Sequence, residues 1–288
     1  MKPPAFEYVR PESLADALTA LGRYGDKAKV LAGGQSLVPM MNLRLVHPEV
    51  LVDINRVPGL GGIAVTGNEL VIGGLTRHTA LLESAVVAKA CPLMSEAYQH
   101  VAHHPIRNRG TIGGNISHAD PASEMPAVLV ATDATIVARS IRDSRDIAAR
   151  GFFMGPLQTA LRTGELVTEI RVPVAPAGQG WAFEEESPRK GDFAMAAVAV
   201  TLTMRGGNCA QACIAVAGMG DHAERLPTVE ALLNGSRFDD ALIARAGALA
   251  RTSVNPTASS FHADADFKRD LVEALVERAL KRARTRCS

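Results

Sequence analysis

The chain has 288 residues, of which 47% are hydrophobic and only 4% aromatic. This length and composition allow a large core of aliphatic side chains, divided into two or three compact units. Lys and Arg total 31 against 30 for Asp and Glu, which gives a formal net charge of +1. Such a balanced chain has no overall field that would attract nucleic acid or an anionic membrane, so we expect a small-molecule or protein partner.

The sequence carries no signal for secretion or membrane insertion. The first seven residues, MKPPAFE, contain no apolar run, and no later window reaches the roughly 18 uninterrupted apolar residues of a membrane span. The cysteines form no CxxC motif and are too sparse for a disulfide scaffold. We therefore expect a cytoplasmic protein whose four thiols are free: Cys91, Cys209, Cys213 and Cys287.

Helices and short strands alternate through the first half of the chain. Residues 11–24 predict an amphipathic helix, since Leu14, Leu18 and Leu21 lie on one helical face. Short strands at residues 29–31 and 51–54 flank a segment that starts a helix near Leu37, which predicts a small βαβ-like unit. A β-hairpin is predicted at residues 62–73 and a helical stretch at residues 79–102.

The second half changes from mixed structure to a separate α+β unit. A helix is predicted at residues 121–132, followed by strands at 135–137, 146–148 and 166–172. Residues 173–180, PVAPAGQG, are the best domain boundary because proline and glycine interrupt regular structure. Beyond it, three segments predict an antiparallel sheet and three more predict helices. The strands are residues 181–185, 196–204 and 209–217, and the helices are residues 228–233, 239–250 and 266–284.

Two double-glycine motifs are the strongest functional signal. The first is Ala32-Gly33-Gly34-Gln35-Ser36, and the second is Thr111-Ile112-Gly113-Gly114-Asn115. Each precedes a segment that can start a helix, so consecutive backbone N–H groups would point outward at an anion. Glycine lets the backbone approach a phosphate without a Cβ in the way. A single Gly-Gly loop is a weak signal, but the pair predicts two halves of one phosphate clamp.

The polar neighbours of the glycines refine this prediction. Ser36, Thr111 and Asn115 can supply additional hydrogen bonds to phosphate oxygens. Neither motif matches G-x-G-x-x-G or G-x-x-x-x-G-K-[ST], which disfavours a Rossmann or P-loop nucleotide site.

Four segments together resemble the FAD-binding medium subunit of molybdenum hydroxylases, the carbon monoxide dehydrogenase and xanthine dehydrogenase family. They are residues 31–39 (LAGGQSLVP), 107–116 (RNRGTIGGNI), 164–173 (GELVTEIRVP) and 191–194 (GDFA). The resemblance covers essentially the whole chain. It implies an α+β fold: the two-part FAD-binding fold of vanillyl-alcohol oxidases, plus a C-terminal domain with a three-stranded antiparallel sheet and helices. The implied units are residues 1–57, 58–176 and 177–288.

The resemblance also implies cofactors and partners. This chain would bind FAD, a large subunit would carry molybdopterin and hydroxylate the substrate, and a small subunit would carry two [2Fe–2S] clusters. Two such heterotrimers usually associate. The chain would be the electron outlet of the complex, with no catalytic side chain of its own. The substrate (carbon monoxide, a purine, another N-heterocycle or an aldehyde) and the external acceptor (quinone, cytochrome, oxygen or NAD) stay open.

Particular residues receive roles from the resemblance. Both glycine motifs are assigned to the FAD pyrophosphate, with no His or Cys that could attach FAD covalently through those loops. Glu124 stands where relatives usually have an Asp that holds a ribose hydroxyl, and Phe193 stands where an aromatic residue, often Tyr, packs on the isoalloxazine. Leu166 or Val167 is expected to contact the flavin. Xanthine dehydrogenases have a Lys in the strand where this chain reads Phe-Glu-Glu-Glu at residues 183–186, which weakens an inference of NAD as acceptor.

Other features were weighed against ordinary structural roles. His100, His103 and His104 could bind zinc from one helical face, but without a nearby Cys or carboxylate a capped helix end near the flavin is favoured. His118 follows the second motif and lies either at the cofactor or in a plain loop. Cys209 and Cys213 are expected to be buried core thiols. We predict no metal site. The rival functions are a self-sufficient flavin oxidoreductase and a scaffold subunit that has lost its flavin.

Overall fold

A computed structural model describes residues 2–256 and 263–288, and the fold begins with a small parallel sheet. Its order is β1-β3-β2, with α1 and α2 in the connections. These elements are β1 (Glu7–Val9), α1 (Leu14–Tyr24), β2 (Ala28–Leu31), α2 (Leu37–Asn42) and β3 (Val50–Asp53). The predicted helix and the βαβ-like unit are confirmed. Strand β1 was not predicted, because three mostly exposed residues at a sheet edge show no periodic pattern.

A five-stranded antiparallel sheet forms the middle of the molecule, in the order β4-β5-β10-β6-β7. The predicted hairpin is confirmed, with Gly67 at a φ of +59° in its turn. A separate two-stranded sheet is inserted in the chain between β7 and β10. The strands are β4 (Ile63–Thr66), β5 (Glu69–Gly73), β6 (Thr135–Arg139), β7 (Ser144–Ala148), β8 (Phe153–Gly155), β9 (Gln158–Thr159) and β10 (Leu166–Pro173).

Six short helices connect β5 to β6, where the sequence predicted a longer helical stretch. Ser84 caps a new helix by accepting a hydrogen bond from the N–H of Val87, and Pro92 begins the next one. Ala102 has a φ of +46°, which ends helical geometry before His103. The helices are α3 (His78–Leu82), α4 (Ala85–Ala90), α5 (Pro92–Ala97), α6 (His104–Arg107), α7 (Ile112–His118) and α8 (Glu124–Ala131).

The C-terminal unit is an antiparallel sheet covered by three helices. Its strands follow the order β11-β12-β13-β14, so the predicted three strands are confirmed and a two-residue edge strand is added. The strands are β11 (Gly180–Glu186), β12 (Ala196–Arg205), β13 (Asn208–Ala217) and β14 (Glu224–Arg225). The helices are α9 (Pro227–Leu233), α10 (Asp240–Ser253) and α11 (Ala265–Arg286).

The C-terminal sheet is buried on both faces. Val198 and Val200 of β12 belong to the core shared with α10 and α11, whereas Ala197 and Ala199 belong to the core shared with α8. Small alanine side chains let α8 approach the sheet closely, and all eight residues of α8 are buried. The middle unit and the C-terminal unit are therefore packed on each other through α8. Across residues 2–256 and 263–288, we find no helix whose length and apolar character would allow it to cross a bilayer.

Candidate cofactor site

The first glycine motif forms the turn between β2 and α2. Gly34 has a φ of +72°, which favours glycine. Its carbonyl accepts a hydrogen bond from the N–H of Val38, and the Ser36 carbonyl accepts one from Met40. The N–H groups of residues 33–36, by contrast, donate no hydrogen bond to any described residue. Four successive free donors ahead of a helix form an N–H cradle that is suited to an anion, and the binding of an anion there stays a prediction.

The second glycine motif is built differently from the expectation. Its residues form the first turn of α7, where Thr111 is the N-cap and its hydroxyl accepts a hydrogen bond from Gly114 N at 3.1 Å. Gly113 N donates to the Gly74 carbonyl, and Ile112 N donates to the Thr76 carbonyl. These three N–H groups are thus occupied within the protein. The expectation that they point outward at an anion is wrong for this motif, because the segment after β5 and the Thr111 hydroxyl accept their hydrogen bonds.

Close backbone packing explains two of the glycines. A Cβ on Gly113 would lie 2.5 Å from the Gly74 carbonyl oxygen. A Cβ on Gly33 would lie 2.8 Å from the Cα of Gly110 and would also overlap the Arg109 carbonyl oxygen. Gly33 therefore packs directly on the segment that leads into the second motif. The structure brings the two motifs side by side, as two halves of one site require, and their binding of a single ligand stays a prediction.

Side chains missed by the sequence analysis tie the motifs together. The Asn55 amide donates to the Ala32 carbonyl at 2.8 Å. Arg77 donates to the Asn55 side-chain oxygen at 2.7 Å and to the Arg109 carbonyl. A loop asparagine and an arginine have no motif of their own, so only the fold reveals this role.

Beyond the second motif, a buried polar group lacks a partner. Asn115 donates from its amide nitrogen to the Ser123 hydroxyl at 2.8 Å. Its buried amide oxygen accepts no hydrogen bond from any residue in the described ranges. A buried acceptor without a donor is costly, so this oxygen is suited to a ligand's hydroxyl or N–H group.

Glu124 begins α8 and is only 4% exposed. Desolvation by burial raises the pKa of its carboxyl to about 7, although hydrogen bonds from its own backbone and from Ser123 favour the charged form. Near neutral pH this carboxyl holds a proton in a large share of the molecules. In that form it can donate a hydrogen bond, which an ionised carboxylate cannot.

Phe193 lies in the loop between β11 and β12 and is 61% exposed. Gly191, at a φ of +87°, rests against His103, since a Cβ on Gly191 would lie 2.5 Å from the imidazole Nδ1. Ala194 N donates to the Ala122 carbonyl at 3.4 Å, which joins this loop to the segment before α8. The aromatic ring is therefore exposed on an anchored loop.

Leu166 and Val167 are both buried at the start of β10. Leu166 packs in the N-terminal core, and Val167 packs in the core of the middle unit. The Val167 backbone meets Gly74, the same residue that accepts the hydrogen bond from Gly113. Their side chains are already used in packing, so a cofactor would meet this strand through its backbone.

A second buried carboxyl, that of Glu185, lies on β11. Its side chain is 1% exposed, and its Oε2 accepts no hydrogen bond within the described chain. Burial, together with the nearby Glu124, raises the pKa of Glu185 to about 8. His100 Nδ1 lies 3.8 Å from the Glu185 Oε1, but desolvation lowers the pKa of His100. Both groups are therefore mainly neutral at pH 7, and their contact is not an ion pair.

The remaining histidines and cysteines do not converge on a metal site. His100 lies in a turn, His103 precedes α6 and His104 begins it, so they do not share a helical face. Among residues 2–256 and 263–288, no three His, Cys, Asp or Glu side chains are arranged to hold a metal. His118 is the last residue of α7, at partial exposure. Cys209 and Cys213 are buried and free, as predicted.

Comparison with known proteins identifies the chain. Residues 4–175 match the FAD-binding domain of molybdopterin dehydrogenases, and residues 181–283 match the C-terminal domain of carbon monoxide dehydrogenase flavoproteins. The chain is 42% identical to the alpha subunit of the 6-hydroxypseudooxynicotine dehydrogenase complex of Paenarthrobacter nicotinovorans, over 98% of this chain and 96% of that protein. It is 39% identical to the carbon monoxide dehydrogenase medium chain of Hydrogenophaga pseudoflava, over the full length of both.

The fold agrees with this similarity. A solved structure of Hydrogenophaga pseudoflava carbon monoxide dehydrogenase, a form lacking the Mo-pyranopterin moiety of the molybdenum cofactor, matches with a TM-score of 0.97 and 41% identity, covering 100% of both chains. Both the sequence motifs and the architecture thus point to one family of oxidoreductase subunits. This chain belongs to that family, the FAD-binding medium subunits of molybdenum hydroxylases.

Proposed function

We propose that this chain is the electron outlet of a molybdenum hydroxylase, taking electrons from [2Fe–2S] clusters on a partner subunit and passing them to an external acceptor. The observation that carries the proposal is the group of four free N–H donors at residues 33–36, packed beside the second glycine motif. This cradle suits the pyrophosphate of a dinucleotide cofactor. The family membership supports FAD as that dinucleotide.

The residues present fit FAD. In this proposal the N–H groups of residues 33–36 bind the pyrophosphate, and Gly114 leaves the facing surface free of a side chain. The Asn115 amide oxygen receives a donor from the cofactor, which satisfies a buried acceptor. A protonated Glu124 donates to a ribose hydroxyl.

The flavin ring has its own contacts in the proposal. Phe193 packs on the isoalloxazine and excludes water from that face, and the backbone at Leu166 and Val167 lies along the ring. FAD, when bound, supplies the one-electron and two-electron chemistry that connects iron–sulfur clusters to an acceptor. The residues of this chain bind and orient the cofactor without acting as acid, base or nucleophile.

The partners follow from the same reasoning. The relatives are named as medium chains or subunits of complexes, which supports assembly with a large molybdopterin subunit and a small [2Fe–2S] subunit, as a dimer of heterotrimers. The substrate is then oxidised on another polypeptide. We also expect the complex to work in the cytoplasm.

An anaerobic stopped-flow experiment tests the proposal. The purified complex and the isolated FAD-loaded chain are each mixed with carbon monoxide, hypoxanthine, a hydroxypyridine and an aldehyde. The flavin of the complex should lose its absorbance near 450 nm with at least one of these compounds, while the isolated chain stays oxidised with all. Rapid bleaching of the isolated chain would instead identify a self-sufficient flavin oxidoreductase.

A further inference from the structure

The two glycine motifs belong to different parts of the fold and need a connection that sets their spacing. The first follows β2 of the parallel sheet, while the second begins α7, which shares a core with the five-stranded sheet. Gly33 touches the Arg109 and Gly110 backbone through packing alone. Packing limits how close the loops come but does not prevent them from moving apart. A ligand held by both motifs would lose affinity with any such movement.

Asn55 provides the first part of a polar connection. It follows β3, and its side-chain amide donates to the Ala32 carbonyl at 2.8 Å and to Asp53 Oδ1 at 2.6 Å. Its backbone N–H also donates to Asp53 Oδ1, at 2.9 Å. Asp53 in turn accepts a hydrogen bond from the Tyr8 hydroxyl. The asparagine is therefore fixed on the parallel sheet and holds the start of the first motif.

Arg77 provides the second part. Its guanidinium donates to Asn55 Oδ1 at 2.7 Å and, from the other terminal nitrogen, to the Arg109 carbonyl. Its backbone forms an isolated antiparallel bridge with Thr111, the N-cap of the second motif. The flanking backbone holds the same segment, since His78 N donates to the Gly110 carbonyl and Ile112 N donates to the Thr76 carbonyl. A planar fork with two separate acceptors fixes both direction and distance.

We infer that Arg77 and Asn55 are positioning residues that hold the two glycine motifs at the spacing required for FAD. This inference rests on the proposed binding of FAD between the motifs. Neither side chain is required to touch the cofactor. Arg77 connects Asn55, on the first motif's side, to the Arg109 carbonyl, which also packs against Gly33. Loss of either side chain breaks the same link.

The test measures FAD affinity and apoprotein stability of the full chain separately. FAD is removed, and its rebinding is followed by flavin fluorescence for the wild type, Asn55→Ala, Arg77→Met and the double variant. Each single variant should weaken FAD binding by about fivefold, because one hydrogen bond is worth about 1 kcal/mol. The double variant should be little worse than either single one, since the two side chains share one link. Arg77→Lys should also lose affinity, because an ammonium cannot reproduce the fork.

Two controls separate positioning from general destabilisation. The midpoint temperature of thermal unfolding of each FAD-free variant should stay near that of the FAD-free wild type. Arg150→Met removes an exposed ion pair with Asp133, far along the chain from both motifs, and should leave FAD affinity unchanged. Unchanged affinity in Arg77→Met and Asn55→Ala, or additive losses in the double variant, would overturn the inference alone. A wild-type chain that fails to bind FAD would overturn the proposed function along with it.

Discussion

The buried carboxyl of Glu185 should make the stability of this fold depend on pH, and Glu185→Gln should remove much of that dependence. Burial and the nearby Glu124 raise the pKa of Glu185 from 4.5 to about 8 in the folded chain. The groups around it are Glu124, Glu186, the Ser187 hydroxyl and His100. Over the interval from pH 4.5 to about 8, the folded chain holds a proton that the unfolded chain has released.

The sign follows from this difference in bound protons. The free energy of unfolding is highest below the unfolded pKa and falls as the pH rises toward the folded pKa, by about 1.4 kcal/mol per pH unit for one group. Between pH 6 and pH 8, Glu185 alone should lower it by roughly 2 kcal/mol, allowing for partial ionisation at the upper end. Glu124, whose pKa burial raises to about 7, lowers it further over the same interval.

Urea unfolding of the FAD-free chain at pH 6, 7 and 8 measures the effect. Glu185→Gln keeps the shape of the side chain but cannot ionise. The free energy of unfolding of this variant, relative to that of the wild type, should therefore rise by roughly 2 kcal/mol from pH 6 to pH 8. Glu83→Gln, at an exposed position, is the matched control and should track the wild type. A constant difference between Glu185→Gln and the wild type across this range would refute the reasoning.

Three further predictions concern the cofactor site. Gly33→Ala should weaken FAD binding at least tenfold and lower the stability of the FAD-free chain, because the added Cβ overlaps the Arg109 and Gly110 backbone. Equilibrium titration measures the affinity and thermal unfolding measures the stability. A variant that binds FAD normally would contradict the packing argument. Phe193→Ala should weaken FAD binding about fivefold to tenfold, since a packed aromatic pair is worth about 1 kcal/mol. It should not destabilise the FAD-free chain, because the side chain is 61% exposed. An unchanged flavin affinity and reduction potential would argue against contact between Phe193 and the ring. Acid precipitation should release all flavin into the supernatant, whereas yellow colour retained in the pellet would reveal a covalent bond.

Local patterns predicted the elements that carry strong periodicity. Apolar runs bounded by turn residues predicted three of the four C-terminal strands, and helical spacing predicted α1, α10 and most of α11. The stretch at residues 79–102 is helical as far as Ala97, but it is divided into three helices because Ser84 caps a new helix and Pro92 begins another. The division into residues 1–57, 58–176 and 177–288 stays a prediction.

The candidate site was predictable where short motifs carry its chemistry. Both glycine motifs were found, but the internal use of the Gly113 and Gly114 N–H groups depends on Gly74 and on the Thr111 rotamer. Asn55 and Arg77 meet only through tertiary packing, 22 residues apart in sequence. The burial of Glu185 was equally hidden, since a run of three glutamates normally marks a solvated strand.

Purification of the tagged chain with its natural partners, followed by cofactor analysis, tests the central claim most directly. The account predicts co-purification of a large and a small subunit, with about one FAD, one molybdenum and four iron atoms per tagged chain, the iron being that of two [2Fe–2S] clusters. Flavin bound to a chain that purifies alone, without molybdenum or iron, would contradict the assignment as an electron-transfer subunit.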